Sequence, residues 1–361
     1  MSDLRQLSLA GAGARNAAAV REAEDPDLKA EWGAFFAAAV FALHPVMSAA
    51  VGYVSARSEL LAAIGALASM TFARRAIVGS NPTAGVAALI CGVLAVGSSS
   101  SAAALPLLVL AYDAWVLREP GWPARAARIY APATLAVVMA AAWHLTGMRI
   151  VAVPPRSGFA NFLTEAIVVW RYVALLLVPR GQALVHEVRW ITTAWSPAGL
   201  AAAVCLAATV ALAIRERRSQ PLVAFGVVWF VGVLVPTSSF IPVRDAMAEQ
   251  RLYFASAGLW LAAASVLARP LALNRAVRAL AAGVLLALAL ATYSRNTLWS
   301  DPMRLWEESI ARAPDAWQAH WGYAELLREI ARCDRAIPEY EAVLRLNPGH
   351  VQAETRLHGC R

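Results

Sequence analysis

Between residues 32 and 294 the chain passes through one nearly chargeless apolar run after another, and this pattern constrains its fold more than any other feature. The runs fall at residues 33–52, 60–78, 82–97, 102–117, 127–145, 197–214, 221–240, 252–268 and 275–293, about nine stretches that span or nearly span a hydrocarbon layer. Backbone N–H and C=O groups inside such a layer find no water, so each run must satisfy its own hydrogen bonds as a helix. Composition agrees: 59% of the chain is hydrophobic and 16% charged, where soluble domains carry about a quarter charged residues. The expected fold is all-α, a polytopic membrane helix bundle over residues 32–294, preceded by a polar segment at 1–31 and followed by a tail at 295–361.

A further apolar stretch at residues 161–179 carries Glu165 and Arg171 and is flanked by Trp170, Tyr172, Trp190 and Trp195. Charges at mid-span are costly and aromatic rings favour the interface, so this stretch is expected to lie on the membrane. With it out of the count, the loops bearing Arg74 and Arg75, Arg118, Arg125 and Arg128, Arg215, Arg217 and Arg218, and Arg269, Arg275 and Arg278 all share one side. Arginine excess marks that side as cytoplasmic. The opposite side then holds the loop at 44–59, the break at 97–101, an outer region at about 146–196 with Arg149, Arg156, Arg180 and Arg189, the loop at 241–251, and the tail. The localisation expected is a bacterial inner membrane with the tail outside the cytoplasm. Residues 1–31 lack an apolar core, so the first span is expected to serve as the insertion signal.

The net charge of +8 does not point to nucleic acid, because the arginines recur at the ends of apolar runs and form no basic stripe with interleaved aromatics. Cys91, Cys205, Cys333 and Cys360 have no metal-ligand spacing, and no metal centre or cofactor is assigned. The first two sit in apolar runs, where buried thiols are expected. The tail pair is open to bridging in an oxidising compartment, but is expected to remain unpaired.

In the tail, Pro314 and Pro348, Trp306 and Tyr340, and Ile310 and Leu344 repeat at a separation of 34 residues. That is the tetratricopeptide (TPR) period. One complete repeat at about 317–348 is expected, with Ala336 and Tyr340 at the helix contact, a half repeat before it and the start of another after it. The competing reading is an unrelated helical hairpin. A TPR module implies a protein or peptide partner, by module type alone.

Polar groups cluster at the outer ends of the spans. His44 lies in Ala42-Leu43-His44-Pro45-Val46, and Arg57 and Glu59 follow in Ser55-Ala56-Arg57-Ser58-Glu59. A second cluster, Asp245 with Glu249-Gln250-Arg251-Leu252-Tyr253, runs into the next span. Arginine at a membrane boundary suits a lipid phosphate, and carboxylates suit base or metal chemistry. The bland readings stand beside these: a backbone-capped His44, an Arg57–Glu59 surface pair, and an Arg251 that pairs with Glu249 or Asp245 to tie down its loop.

These motifs, with Leu105-Pro106-Leu107-Leu108, Tyr112-Asp113, Val168-Val169-Trp170-Arg171-Tyr172, Pro179, Gly181-Gln182, Arg295-Asn296-Thr297-Leu298-Trp299 and Leu305-Trp306-Glu307, resemble the transmembrane and TPR-containing protein O-mannosyltransferases, of the GT-C class. The resemblance implies a GT-C-like bundle that passes mannose or a related sugar from a polyprenyl-phosphate carrier to a protein hydroxyl outside the cytoplasm. It implies donor-phosphate contacts from Arg251 and Arg57, an acid among Glu59, Asp245 and Glu249, and further outer-face candidates in His44, Gln182, His186 and Tyr253. The chain departs from the family pattern at Met47 and Ala49, where a second His and a Glu are usual, and at Ser98-Ser99-Ser100, where Ser-Lys-Glu is usual. It also begins without the family's first span and acidic loop. The expectation is therefore divided between a transferase, impaired or active, and a non-catalytic membrane scaffold that recruits a partner through its tail.

Overall fold

Several helices in this chain start with a capping residue followed by proline. Asn81-Pro82, Ser196-Pro197 and Asp301-Pro302 each open one, and the capping oxygen accepts the backbone N–H of Ala84 (3.2 Å), Gly199 (3.3 Å) and Arg304 (3.2 Å). Proline at the first helical position gives up a hydrogen bond the helix does not make. Each cap stabilises its helix by about 1 kcal/mol. The computed structural model describes residues 26–147, 157–240 and 245–361, and they contain no strand. The expectations placed on residues 1–25, on Arg149 and Arg156, and on residues 241–244 lie outside the described residues.

The helices are α1 (Pro26–Leu43), α2 (Met47–Gly52), α3 (Arg57–Val78), α4 (Pro82–Ser98), α5 (Leu105–Ala111), α6 (Trp122–Arg125), α7 (Ala131–Gly147), α8 (Gly158–Leu177), α9 (Pro197–Arg215), α10 (Pro221–Leu234), α11 (Leu252–Leu273), α12 (Arg275–Trp299), and in the tail α13 (Pro302–Arg312), α14 (Trp317–Glu329), α15 (Cys333–Leu346) and α16 (Val351–Cys360). A wider turn over Tyr112–Leu117 lengthens α5, and another over Ala126–Tyr130 joins α6 to α7. Among the described residues six helices are long and apolar enough to cross a membrane, and α4 and α10 are shorter apolar helices. Leu89, Val93, Leu135, Leu286 and Leu290 stand exposed on the outer faces, where lipid is the fitting solvent.

Two ends of the bundle can be told apart by their contacts. At one, Arg118 Nη2 donates to the carbonyls of Arg217 (3.1 Å) and Arg218 (2.9 Å), and Arg278 lies over the Trp32 ring. Asp113 is fully buried there and takes both prongs of Arg125, Nε at 2.6 Å and Nη2 at 2.7 Å, with the Tyr130 hydroxyl donating at 3.0 Å. This cluster fastens the turn between α5 and α7. At the other end, Thr292 Oγ1 of α12 donates to the Leu43 carbonyl (2.6 Å), and the Ser99 hydroxyl donates to Glu59 Oε1 (2.7 Å).

Helix α8 departs from the up-and-down path. Its length and apolarity match a span, yet both halves find partners at the end that bears the tail. Asn161 Nδ2 donates to the Ser239 carbonyl beyond α10 (2.7 Å), Thr164 Oγ1 accepts from Ile191 N (3.0 Å), and the Tyr172 hydroxyl bonds with Ala248 ahead of α11. Near its last turn the Leu176 carbonyl accepts His44 Nε2 just past α1 (3.0 Å). Asn161, Thr164, Glu165, Val168, Tyr172, Leu175 and Leu176 form its buried stripe at helical spacing, while Phe159, Arg171 and Leu177 are exposed. The helix therefore lies across that end of the bundle.

Helices α10 and α11 meet backbone to backbone. A Cβ at Gly258 would sit 2.7 Å from Trp229 carbons, and a Cβ at Gly226 would sit 2.8 Å from the Ala262 Cβ. Small residues at the contact let dispersion act over the whole helix length, which is the main attraction between helices in lipid.

In the tail, residues 34 apart occupy matching places: Ser309 with Val343, Ala319 with Ala353, and Tyr323 with Leu357 are all buried. Burial and a hydrogen bond to Glu307 push the Tyr323 hydroxyl up to about 12. Burial works to raise the Glu325 carboxyl, but hydrogen bonds from Arg328 and Tyr340 outweigh it and hold the group below its ordinary range. Cys333 and Cys360 form a disulfide, contrary to the unpaired expectation. The α15–α16 hairpin is antiparallel, so the start of one helix returns to the end of the other, with the two Cα atoms 5.3 Å apart. Cys91 and Cys205 are free thiols, but against expectation neither is buried: Cys91 is half-buried and Cys205 exposed, on helix faces turned toward lipid.

Gly226→Leu forces the α10–α11 contact apart and is expected to destabilise the protein by about 1–3 kcal/mol or more. Gly283→Leu, on α12 with nothing within 4 Å of its Cβ position, is expected to leave the melting temperature in detergent unchanged. Equal melting temperatures for the two variants would refute the close packing.

Candidate functional site

The polar residues singled out in the sequence gather at the tail-bearing end, in separate hydrogen-bonded groups. His44 is 1% exposed and both ring nitrogens are occupied: Nε2 faces the Leu176 carbonyl and Nδ1 accepts the Val46 N–H at 3.3 Å. It pins α8 to the end of α1, which is the backbone-capped role. Glu59, in the first turn of α3, is buried, and its two oxygens accept the hydroxyls of Ser99 (2.7 Å) and Ser101. The serine run thus ties α3 to the break between α4 and α5. Arg57 is exposed and makes no ion pair among the described residues, so the Arg57–Glu59 pair does not form.

Glu249 is the junction of the second group. It is 3% exposed, and its Oε1 accepts the Ala183 N–H (2.7 Å) and faces His186 Nε2 (2.8 Å). One carboxylate thereby ties the segment after α8 to the loop that starts α11. Arg251 pairs with neither Glu249 nor the Asp245 carboxylate. Its guanidinium donates instead to the carbonyls of Asp245 (2.8 Å) and Ala246 (3.2 Å), so it ties down its loop through backbone. Asp245 is exposed, and among the described residues its side chain meets Gln318 Nε2 of the tail at 3.5 Å. Tyr253 packs its ring 5.0 Å from Phe41 as part of the helix contact.

Gln182 belongs to a third group that the sequence reading did not assemble. Gly181 just before it has φ +78°, a left-handed turn that glycine adopts without strain. The Gln182 carbonyl accepts Arg312 Nη1 of α13. Glu308 takes Arg312 Nη2 (2.6 Å) and Arg295 Nη1 (2.5 Å), joining the end of α12 to the tail. Between these elements opens a cavity of about 600 Å³, lined by Arg180, Gln182, Arg295, Arg304, Glu308 and Arg312 among others. The i, i+4 spacing of Glu308 and Arg312 was readable in the sequence. The approach of residues 180–182 to that helix was not, because it depends on how the tail folds back. No group of three metal-binding side chains occurs among the described residues.

This end gathers carboxylates, a histidine and arginines where the helices meet the connecting segments, the residue types that carry proton transfer and anion binding. Over 212 residues, 55% of this chain, the sequence is 29% identical to the mouse protein O-mannosyl-transferase TMTC1. Over 222 residues, 57% of the chain, it is 28% identical to the human protein of that name. The similarity is to membrane glycosyltransferases. The matches cover 22% and 25% of those relatives' own lengths, so the chain spans about a quarter of each. No protein-family model matches the chain, and no solved structure does.

Glu249→Ala leaves the buried Ala183 N–H without its acceptor, which costs about 1–3 kcal/mol. The variant is expected to melt lower in detergent and to be cut faster by protease within residues 178–196. Arg251→Gln, which removes bonds from a half-buried group to two carbonyls, is expected to have the smaller effect; the reverse order would displace Glu249 as the junction.

Proposed function

We propose that the chain is a GT-C-like membrane glycosyltransferase that passes mannose or a related sugar from a polyprenyl-phosphate carrier to a protein hydroxyl on the non-cytoplasmic side. The similarity to the two TMTC1 transferases carries the reading. The placement of the ionisable groups supports it, since the helix ends with paired arginines such as Arg217 and Arg218 lie opposite the end with Glu249 and the tail. Arginine excess favours the cytoplasm. A disulfide in the tail suits an oxidising compartment on the other side.

In this reading the acceptor hydroxyl attacks C1 of the sugar. Its proton passes to a carboxylate, the C1–O bond to the phosphate breaks, and the carrier leaves as the lipid phosphate. Glu59 and Glu249 have their oxygens engaged by Ser99, Ser101, Ala183 and His186. Asp245 is exposed at the same end, in the loop that leads to Glu249, and is assigned the base. The tail, read as a short TPR module, would present or recruit the protein acceptor. The engagement of Glu59 and Glu249 by internal partners equally favours the second reading, a scaffold without catalysis.

Membranes containing the full chain are expected to transfer radiolabelled mannose from polyprenyl-phosphate mannose to protein. Asp245→Asn should lower that rate by about a hundredfold or more, the scale of a positioned base, without changing the melting temperature. No transfer by the wild type would leave the scaffold. For orientation, alkaline phosphatase fused after Arg361 should be active, and Cys333 and Cys360 should resist thiol labelling until reduced. An inactive fusion with freely labelled thiols would invert the topology. The Cys333→Ser/Cys360→Ser variant loses the constraint of a 27-residue separation, about 3–4 kcal/mol by chain entropy, and its tail should be more protease-sensitive.

A further inference from the structure

The cavity between α12, α13 and residues 179–182 places four arginines, Arg180, Arg295, Arg304 and Arg312, around one carboxylate, Glu308. Glu308 is shared by Arg295 and Arg312, and so leaves cationic charge uncompensated. Arg304 has its own partner in Asp301 at 3.3 Å, while the exposed Arg180 side chain makes no ion pair among the described residues. Arg295 is the telling member. It is 7% exposed, only its Nη1 is used, and Nε and Nη2 make no hydrogen bond among the described residues. Those two atoms form the side-on edge of the guanidinium, the fork that matches two oxygens of one phosphate or carboxylate. Gln182 Nε2, on a side chain 6% exposed in the same cavity wall, likewise makes no hydrogen bond among the described residues. Buried donors without acceptors are rare in folded proteins, because each loses its hydration and gains nothing in return.

We propose that this cavity binds a phosphate-type oxyanion, with Arg295 and Gln182 as the buried donors and Arg180 and Arg312 as the outer cations. The cavity sits where the apolar run of α12 gives out, with Tyr293 exposed and Trp299 in the next turns. Aromatic residues at the end of a span mark the headgroup level. A lipid phosphate monoester and free phosphate share the same recognition chemistry, and depth alone favours the lipid. The site stands apart from sugar transfer: it needs no reaction, and its occupancy is read without one.

The test uses the full chain in phosphatidylcholine nanodiscs. Inorganic phosphate is titrated calorimetrically, and phosphatidic acid is incorporated at increasing mole fraction and bound lipid counted by native mass spectrometry. Saturable binding of a phosphate-bearing probe is expected, weakened about tenfold by Arg180→Gln, a loss of about 1.4 kcal/mol, with the melting temperature unchanged. Arg304→Gln serves as a second surface variant and should weaken binding less. Tighter binding of phosphatidic acid than of inorganic phosphate assigns the source to the membrane, and equal binding assigns it to the aqueous phase. Absence of binding by both probes, or wild-type affinity in both Arg180→Gln and Arg312→Gln, overturns the proposal.

Discussion

The architecture of the tail-bearing end depends on helix α8 lying across it. That helix is pinned along its length by Ser239, Ile191, Ala248 and His44, each from a different part of the chain. Spans in lipid lack a hydrophobic drive toward one another and hold together through close packing and hydrogen bonds. A rod laid over their ends supplies bonds that neighbouring spans cannot make for themselves. The positions of Gln182 and the segment after α8 follow from it, since the chain leaves α8 directly into those residues, and that segment meets Glu249 through Ala183 and His186.

Much of the bundle was legible in the sequence because lipid leaves few options. Chargeless runs of span length must be helices, and the cap-proline dipeptides at Asn81, Ser196 and Asp301 mark where three of them begin. The polar clusters were legible as clusters, but their partners were not. Glu59 binds serines about forty residues away, and Glu249 binds a backbone N–H 66 residues away. Such pairings are decided by helix packing, which leaves no local periodic trace. The disulfide was misjudged for the same reason, because two cysteines 27 residues apart meet only once the α15–α16 hairpin is closed.

Side chains at this end divide by what they can still offer a ligand. His44, Glu59, Glu249 and Arg251 are committed to internal bonds and give the end its rigidity. Asp245, Arg180 and the unused edge of Arg295 retain bonding capacity. Preorganisation of this kind, with rigid groups holding a few unsatisfied ones, is what a binding site requires, and it separates structural polar residues from chemically available ones more sharply than residue type does.

Helix α12 has a consequence of its own. No residue of its apolar window is buried, so lipid surrounds most of its length, and it carries the tail at one end. A span of this kind answers a mismatch between its apolar length and the hydrocarbon thickness chiefly by tilting. Because α12 carries Arg295 at its end, a change in tilt would move Arg295 relative to residues 179–182 and alter the width of the arginine-lined cavity. The thickness of the surrounding bilayer, set by its lipid composition, thereby becomes a mechanical input to that cavity.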